Sequence, residues 1–156
     1  MIGDFDSETV IKHLANKLDY PFSKLFGEFI KSCENMLIDP EVLSLVGKIR
    51  AKKIKVVVAT DNMDSFDRWT SSSLNLKNHF DALLNSYNIK ARKNDFDENG
   101  NSLFFGDYLS THKLSPSETI LIDDSEDKEN LLSNYGVNCR KIEYGTGLKE
   151  ELRNIL

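Results

Sequence analysis

The chain predicts an α/β fold with a mostly parallel sheet behind a helical front segment. From Asp39 onward, strand and helix patterns alternate. The strand candidates are short unbroken aliphatic runs, whereas the first 38 residues carry only helical periodicity. Parallel strands are covered by crossover helices on both faces, so they read as continuous apolar runs rather than as alternating ones.

The elements follow in order. Ser7 to Leu18 sets Val10, Ile11, Leu14 and Leu18 at helical spacing, with Asp6 or Ser7 as N-cap. Pro21 starts a second amphipathic helix whose apolar face is Phe22, Leu25, Phe26, Phe29, Ile30 and Cys33. A third takes Asp39 as N-cap and Pro40 in its first position, and runs through Val42, Leu43, Val46 and Ile49. Lys52, Lys53 and Lys55 close it, where cations suit the helix dipole. Ile54 to Ala59 is β-branched and apolar on both faces, as a central parallel strand requires, and ends in Thr60-Asp61-Asn62. A helical stretch at 65–76, a strand at 82–84 and a helix at 103–113 come next. A strand at 119–122 then leads into a helix that runs from after Asp124 to about Tyr135, stopped by Gly136. A strand at 137–142 and a helix at 148–156 end the order. The division expected is a helical cap-like segment over 1–38 and an α/β core over 39–156.

With 156 residues the chain is about one domain by the usual size range. A net charge of -5, with Lys and Arg scattered, argues against nucleic acid or an anionic membrane as partner. No apolar run reaches the ~20 residues of a membrane helix. Cys33 and Cys139 lie outside any CxxC pattern and read as reduced thiols, and MIGDFDSE lacks a basic, apolar leader, so the chain reads as cytoplasmic.

Open α/β sheets bind ligands outside the carboxyl ends of their strands. Three predicted strand ends carry polar groups here: Thr60 after VVVA, Asp123-Asp124 after ILI, and Lys90 and Lys93 beyond ALLNS. A hydroxyl, a lysine and two carboxylates at one edge suit a phosphate with magnesium, the carboxylates holding the hard cation and the others the phosphate oxygens.

In their order, VVVATDN, HFDALLNSYNIKARKND and SPSETILIDDSEDKENLLSNYGV resemble the back two thirds of a haloacid dehalogenase-like (HAD) hydrolase. Thr60 matches the family's motif II; Phe80-Asp81, Ser86 and Lys93 resemble motif III; Asp123 and Asp124 match motif IV. The resemblance covers roughly residues 40 to 145. It implies a Rossmann-like core with a cap, bound Mg2+ and phosphoryl transfer through an aspartyl-phosphate. On that pattern Asp4 is the nucleophile and Asp6 the general acid/base, Thr60 and Lys93 hold phosphate oxygens, and Asp4, Asp123 and Asp124 hold magnesium. The substrate implied is a small phosphorylated metabolite, a phosphatase reaction being favoured over dehalogenation.

Motif I departs from the pattern. Residues 4–9, DFDSET, lack the glycine of DxDGT and add one residue, and only three residues precede Asp4 where a buried strand takes about five or six. Asp4 and Asp6 read equally as acidic residues before a helix N-terminus. On that alternative the chain is a non-catalytic or N-terminally shortened HAD-like module without its nucleophile strand, and exposed strand edges imply self-association or filling of the gap. Lys93 is also followed by Asn94 where the family commonly has Pro.

Two patterns compete for the acidic residues. Asp95 to Asn101 matches the start of a calcium loop, D-x-D-x-N-G, but position 12 is Gly106. Asn99-Gly100 instead predicts a tight turn or hairpin inserted after motif III. Asp123 to Asp127 spells DDxxD, yet it follows a strand, unlike the all-helical proteins that use that motif.

Overall fold

The computed structural model describes residues 2–143 and 146–156; Met1, at the head of the expected front segment, and 144–145, at the end of the HAD-like stretch, lie outside them. The chain is mixed α/β with parallel strand pairs. Its helices are α1 (Ser7–Leu18), α2 (Phe22–Glu34), α3 (Pro40–Ala51), α4 (Ser71–Ser73), α5 (Leu76–His79), α6 (Ser86–Ile89), α7 (Gly106–His112), α8 (Leu131–Tyr135) and α9 (Leu148–Ile155). Its strands are β1 (Val57–Thr60), β2 (Ala82–Asn85), β3 (Ile120–Asp123) and β4 (Asn138–Lys141).

The expected sheet is divided. β1 pairs in parallel with β2, and β3 in parallel with β4, as two separate ladders. Both nevertheless border the same two apolar clusters. Val56 and Ile122 pack on the cluster of Val42, Leu45, Val46, Ile49 and Leu152 from α3 and α9. Ala59, Leu84, Leu121 and Cys139 pack on the opposite cluster, built by Phe104, Phe105, Leu109, Leu132 and Val137. Because side chains alternate along a strand, this partition puts helices on both faces of the two ladders.

Two anchors hold this arrangement. Arg50 at the end of α3 donates to the carbonyl of His79 at 2.9 Å and to Asp81 Oδ1 at 2.9 Å. Asp81 in turn accepts the Val56 N–H at 2.8 Å, which fixes where β1 meets β2. That side-chain bond also explains why β1 starts at Val57 rather than Ile54: Ile54 is 43% exposed and Lys53 turns through a positive φ of 67°. At the front, α1 is held by its first residue. Ser7, fully buried, donates N–H to Asp64 Oδ1 at 2.7 Å and its hydroxyl to Oδ2 at 3.1 Å.

The helix expected at 65–76 is broken into a π-helical turn at Phe66–Thr70, then α4, then α5 after Asn75 at φ 53°. Within the wide turn Trp69 packs edge-on to Phe26 and Phe29, 5.7 and 6.0 Å between centroids, and so docks α2. The helix expected at 103–113 starts at Gly106, because Ser102 Oγ accepts the Phe105 N–H and folds Phe104 and Phe105 into the core ahead of it. The long helix expected after Asp124 shrinks to α8, preceded by a 3-10 turn with Glu129 and Asn130 at positive φ. The Asn99-Gly100 turn forms as expected, with an antiparallel bridge between Phe96 and Ser102 and Gly100 at φ 78°.

Candidate functional site

The carboxyl ends of β1 and β3 lie at one edge, joined through Lys93. Its backbone N–H donates to Asp61 Oδ1 at 3.1 Å, and its ammonium forms an ion pair with Asp123 Oδ2. Asp61 directly follows Thr60, and Asp124 follows Asp123, so Thr60, Lys93, Asp123 and Asp124 share this edge. The aliphatic strands supply the rigid part, and the turn at 93–94 beyond α6 brings Lys93 across. A cavity of about 650 Å³ opens here, lined in part by Asp61, Lys93, Asp123, Asp127 and Arg140.

The Lys93 and Asp123 side chains are only 14% and 16% exposed, which makes their pairing a strong local constraint. Burial alone would push the Asp123 carboxyl up. Hydrogen bonds from Lys93 and Ser125, together with the Lys93 charge, more than offset that and hold it below the usual carboxylate range. Ser125 donates its N–H to Asp123 Oδ1 at 2.8 Å and its hydroxyl to the same oxygen. Both carboxylate oxygens of Asp123 are therefore engaged inside the chain.

The other expected residues lie apart from this pair. Among residues 2–6 there is no strand; Asp4 sits in an exposed bend. The preceding Gly3 carbonyl accepts from Lys90 Nζ at 3.4 Å, which puts the front residues against α6, beyond β2. Asp6 is the N-cap of α1, its Oδ1 accepting the Thr9 N–H at 2.7 Å. Hydrogen bonding from the Thr9 side chain, first, and then from the Thr9 N–H holds its carboxyl below the usual range. Lys90 and Lys93, read together in the sequence, are split: Lys90 stacks on Tyr87 with Nζ 4.5 Å from the ring centre. Ser86 stays inside the fold, accepting the Asn62 N–H at 3.0 Å and tying the loop after β1 to the end of β2.

Magnesium asks for near-octahedral oxygen ligands, usually carboxylates with open lone pairs. Asp123 has both oxygens committed, Asp124 is exposed, and Asp4 is elsewhere. Among the described residues no three His, Cys, Asp or Glu side chains converge on a point that could hold a metal. As arranged, these residues do not fit the ion.

Several site residues escaped sequence reasoning. Asp61 was visible only as a neighbour of Thr60. Asn85, 1% exposed, donates to the Met63 carbonyl at 3.0 Å and to Asp67 Oδ2 at 2.6 Å, and its own oxygen caps α6. Nothing short of strand register would single it out. In the run DDSED the helix-capping role falls to Asp127, which accepts the N–H groups of Leu132 and Ser133, each at 2.9 Å. The calcium-like loop spends its ligands internally, Asp97 Oδ1 accepting the N–H groups of Asn99 and Asn101 at 2.9 and 2.8 Å. Among the described residues no helix is long and apolar enough to cross a membrane. Compared with models of known protein families, and with curated proteins, the chain matches none.

Proposed function

We infer that this chain is a HAD-like module that binds rather than hydrolyses, and acts without a magnesium-dependent aspartyl-phosphate step of its own. The Lys93–Asp123 ion pair carries this reading. A lysine that neutralises the carboxylate expected to hold the cation removes the charge that would attract magnesium. Its partner roles are likewise filled: Asp6 caps a helix, and Asp4 stands at the front of α1 beyond β2. An attacking carboxylate must reach within about 3–3.5 Å of phosphorus in line with the leaving group. The reduced state expected of Cys33 and Cys139, both free thiols, supports a cytoplasmic setting.

A second reading is favoured by one observation, the gathering of Thr60, Lys93, Asp123 and Asp124 at a single edge. These are the groups a Mg2+-dependent phosphatase of this family would use on a small phosphorylated metabolite. It needs Lys93 to release Asp123 and a further carboxylate to arrive at the edge.

Turnover of p-nitrophenyl phosphate with and without millimolar magnesium separates the two. The binding-module reading expects no magnesium-dependent rate above an unrelated protein. A magnesium-dependent rate that disappears in Asp4→Asn, whose amide cannot form an aspartyl-phosphate, would overturn it.

A further inference from the structure

Exposed apolar residues gather at the front of the chain. Among the described residues, seven of the eleven large apolar side chains left exposed lie between Phe5 and Leu37. α1 carries three of them in one line. It buries Ser7, Ile11 and Ala15 against the rest of the fold and leaves Val10, Leu14 and Leu18 outside. Residues four apart stand one above another on a helix surface, so these three form an open stripe beside the buried one. Phe5 stands just before α1 and Tyr20 just after it, and all five residues are between 40 and 68% exposed. At about 200 Å² for a large side chain they offer on the order of 500 Å², near the upper end of what a lone soluble protein leaves uncovered. The helix beneath is fixed, since Ser7 bonds Asp64 through both its N–H and its hydroxyl.

Charge is distributed unevenly along α1. Asp4, Asp6 and Glu8 stand at its front; Lys12, His13 and Lys17 follow, and Asp19 is the C-cap. At 100° per residue, His13 and Lys17 border the open side of the stripe, whereas Glu8, Lys12 and Asn16 lie on the far side of the helix. Among the described residues no ion pair engages Lys12, His13 or Lys17. Of the neighbouring charges, Arg68, which acts on Asp6, is paired with Asp64. On α2, Lys24, Glu28, Lys31 and Glu34 alternate in sign, and Lys31 pairs with Glu28.

We propose that this stripe packs on the same stripe of a second copy of the chain, the two α1 helices antiparallel about a two-fold axis at Leu14. A stripe spaced evenly about its middle residue is self-complementary under that symmetry: Leu14 meets the partner's Leu14, Val10 the partner's Leu18, and Phe5 the partner's Tyr20. Antiparallel entry also sets the acidic front of each helix toward Lys17 on the other and opposes the two helix dipoles, whereas parallel entry sets like against like. One helix thus supplies both halves of the match, which commits the stripe to a second copy. The two surfaces bury on the order of 1,000 Å² of apolar residues, about the least a specific interface needs. This goes beyond the functional reading above and does not depend on whether the chain hydrolyses anything.

Sedimentation equilibrium of the whole chain at pH 8 tests it. A surface of this size predicts a reversible dimer with a Kd of about 10–100 µM. Leu14→Glu places two carboxylates at the axis and should raise that constant by about tenfold or more, with an unchanged far-UV circular dichroism spectrum because Leu14 is exposed. Leu18→Glu, at the end of the stripe, should weaken the dimer as well and serves if the first variant fails to fold. Lys17→Glu should weaken it, and Lys12→Glu, on the far side, should not. A chain that stays monomeric at about 500 µM, leaving the stripe to some other partner, would overturn the proposal. So would a dimer that folded Leu14→Glu and Leu18→Glu leave intact, or one that Lys12→Glu weakens as much as Lys17→Glu.

Discussion

Replacing Lys93 with Met keeps much of the side chain's apolar bulk and removes its ammonium, leaving Asp123 charged at a site where it is 16% exposed. A fully buried carboxylate stripped of its partner costs about 3–5 kcal/mol, and an exposed pair is worth at most about 1 kcal/mol. Asp123 keeps the Ser125 N–H and hydroxyl, so the loss should fall between, at about 2 kcal/mol. For a domain of this size that lowers the melting temperature by roughly 4–8 °C. The partner change, Asp123→Asn, should also destabilise. The double variant should lose less than the two single losses combined, by about 1 kcal/mol, because the second change removes a charge the first left unpaired. The pH dependence has a defined sign. The folded Asp123 carboxyl is held below its unfolded value near 3.9, so its stabilisation is present above that value and is lost as pH falls through the folded one. The difference between the parent chain and Lys93→Met should therefore be full at neutral pH and close below about pH 4. Urea unfolding of the four proteins at neutral and acidic pH measures both effects. Additive losses, or a difference that does not change with pH, would refute the assignment of this ion pair as the site's organising contact.

Other outcomes are equally specific. Phe104, 2% exposed and edge-on to Phe105, should lose about 3–5 kcal/mol in urea unfolding when cut to Ala. Trp69→Ala should free α2 from the π-helical turn, seen as amide exchange in α1 and α2 rising before that of α3. Asp127→Ala removes the acceptor for the Leu132 and Ser133 amides and should cost about 1 kcal/mol of stability, with faster exchange at those two positions. Asp4→Asn should leave the melting temperature unchanged, since Asp4 is exposed in a bend.

The legible part of the fold was the part governed by local patterns. α1 and α3 begin where Asp6, Asp39 and Pro40 mark them, because capping is a short-range hydrogen bond. The strand runs and the gathering of Thr60 with Asp123 were also readable, since unbroken aliphatic runs place their polar successors at one edge. What was illegible depends on contacts distant in sequence. The π-helical turn exists to seat Trp69 on α2, and the separation of the ladders depends on which edges find a partner. The role of the acidic pair could not be read from DD alone. Whether Asp123 meets a cation from solution or the ammonium of Lys93, 30 residues earlier, is set by the turn that follows α6.

Magnesium titration followed by thermal unfolding tests the binding-module account most directly, because a ligand that binds only the folded chain must raise its melting temperature. With Asp123 committed to Lys93 and Ser125, millimolar magnesium should leave the melting temperature where an equal ionic strength of sodium chloride leaves it. A saturable, magnesium-specific rise that Asp124→Ala abolishes would contradict it.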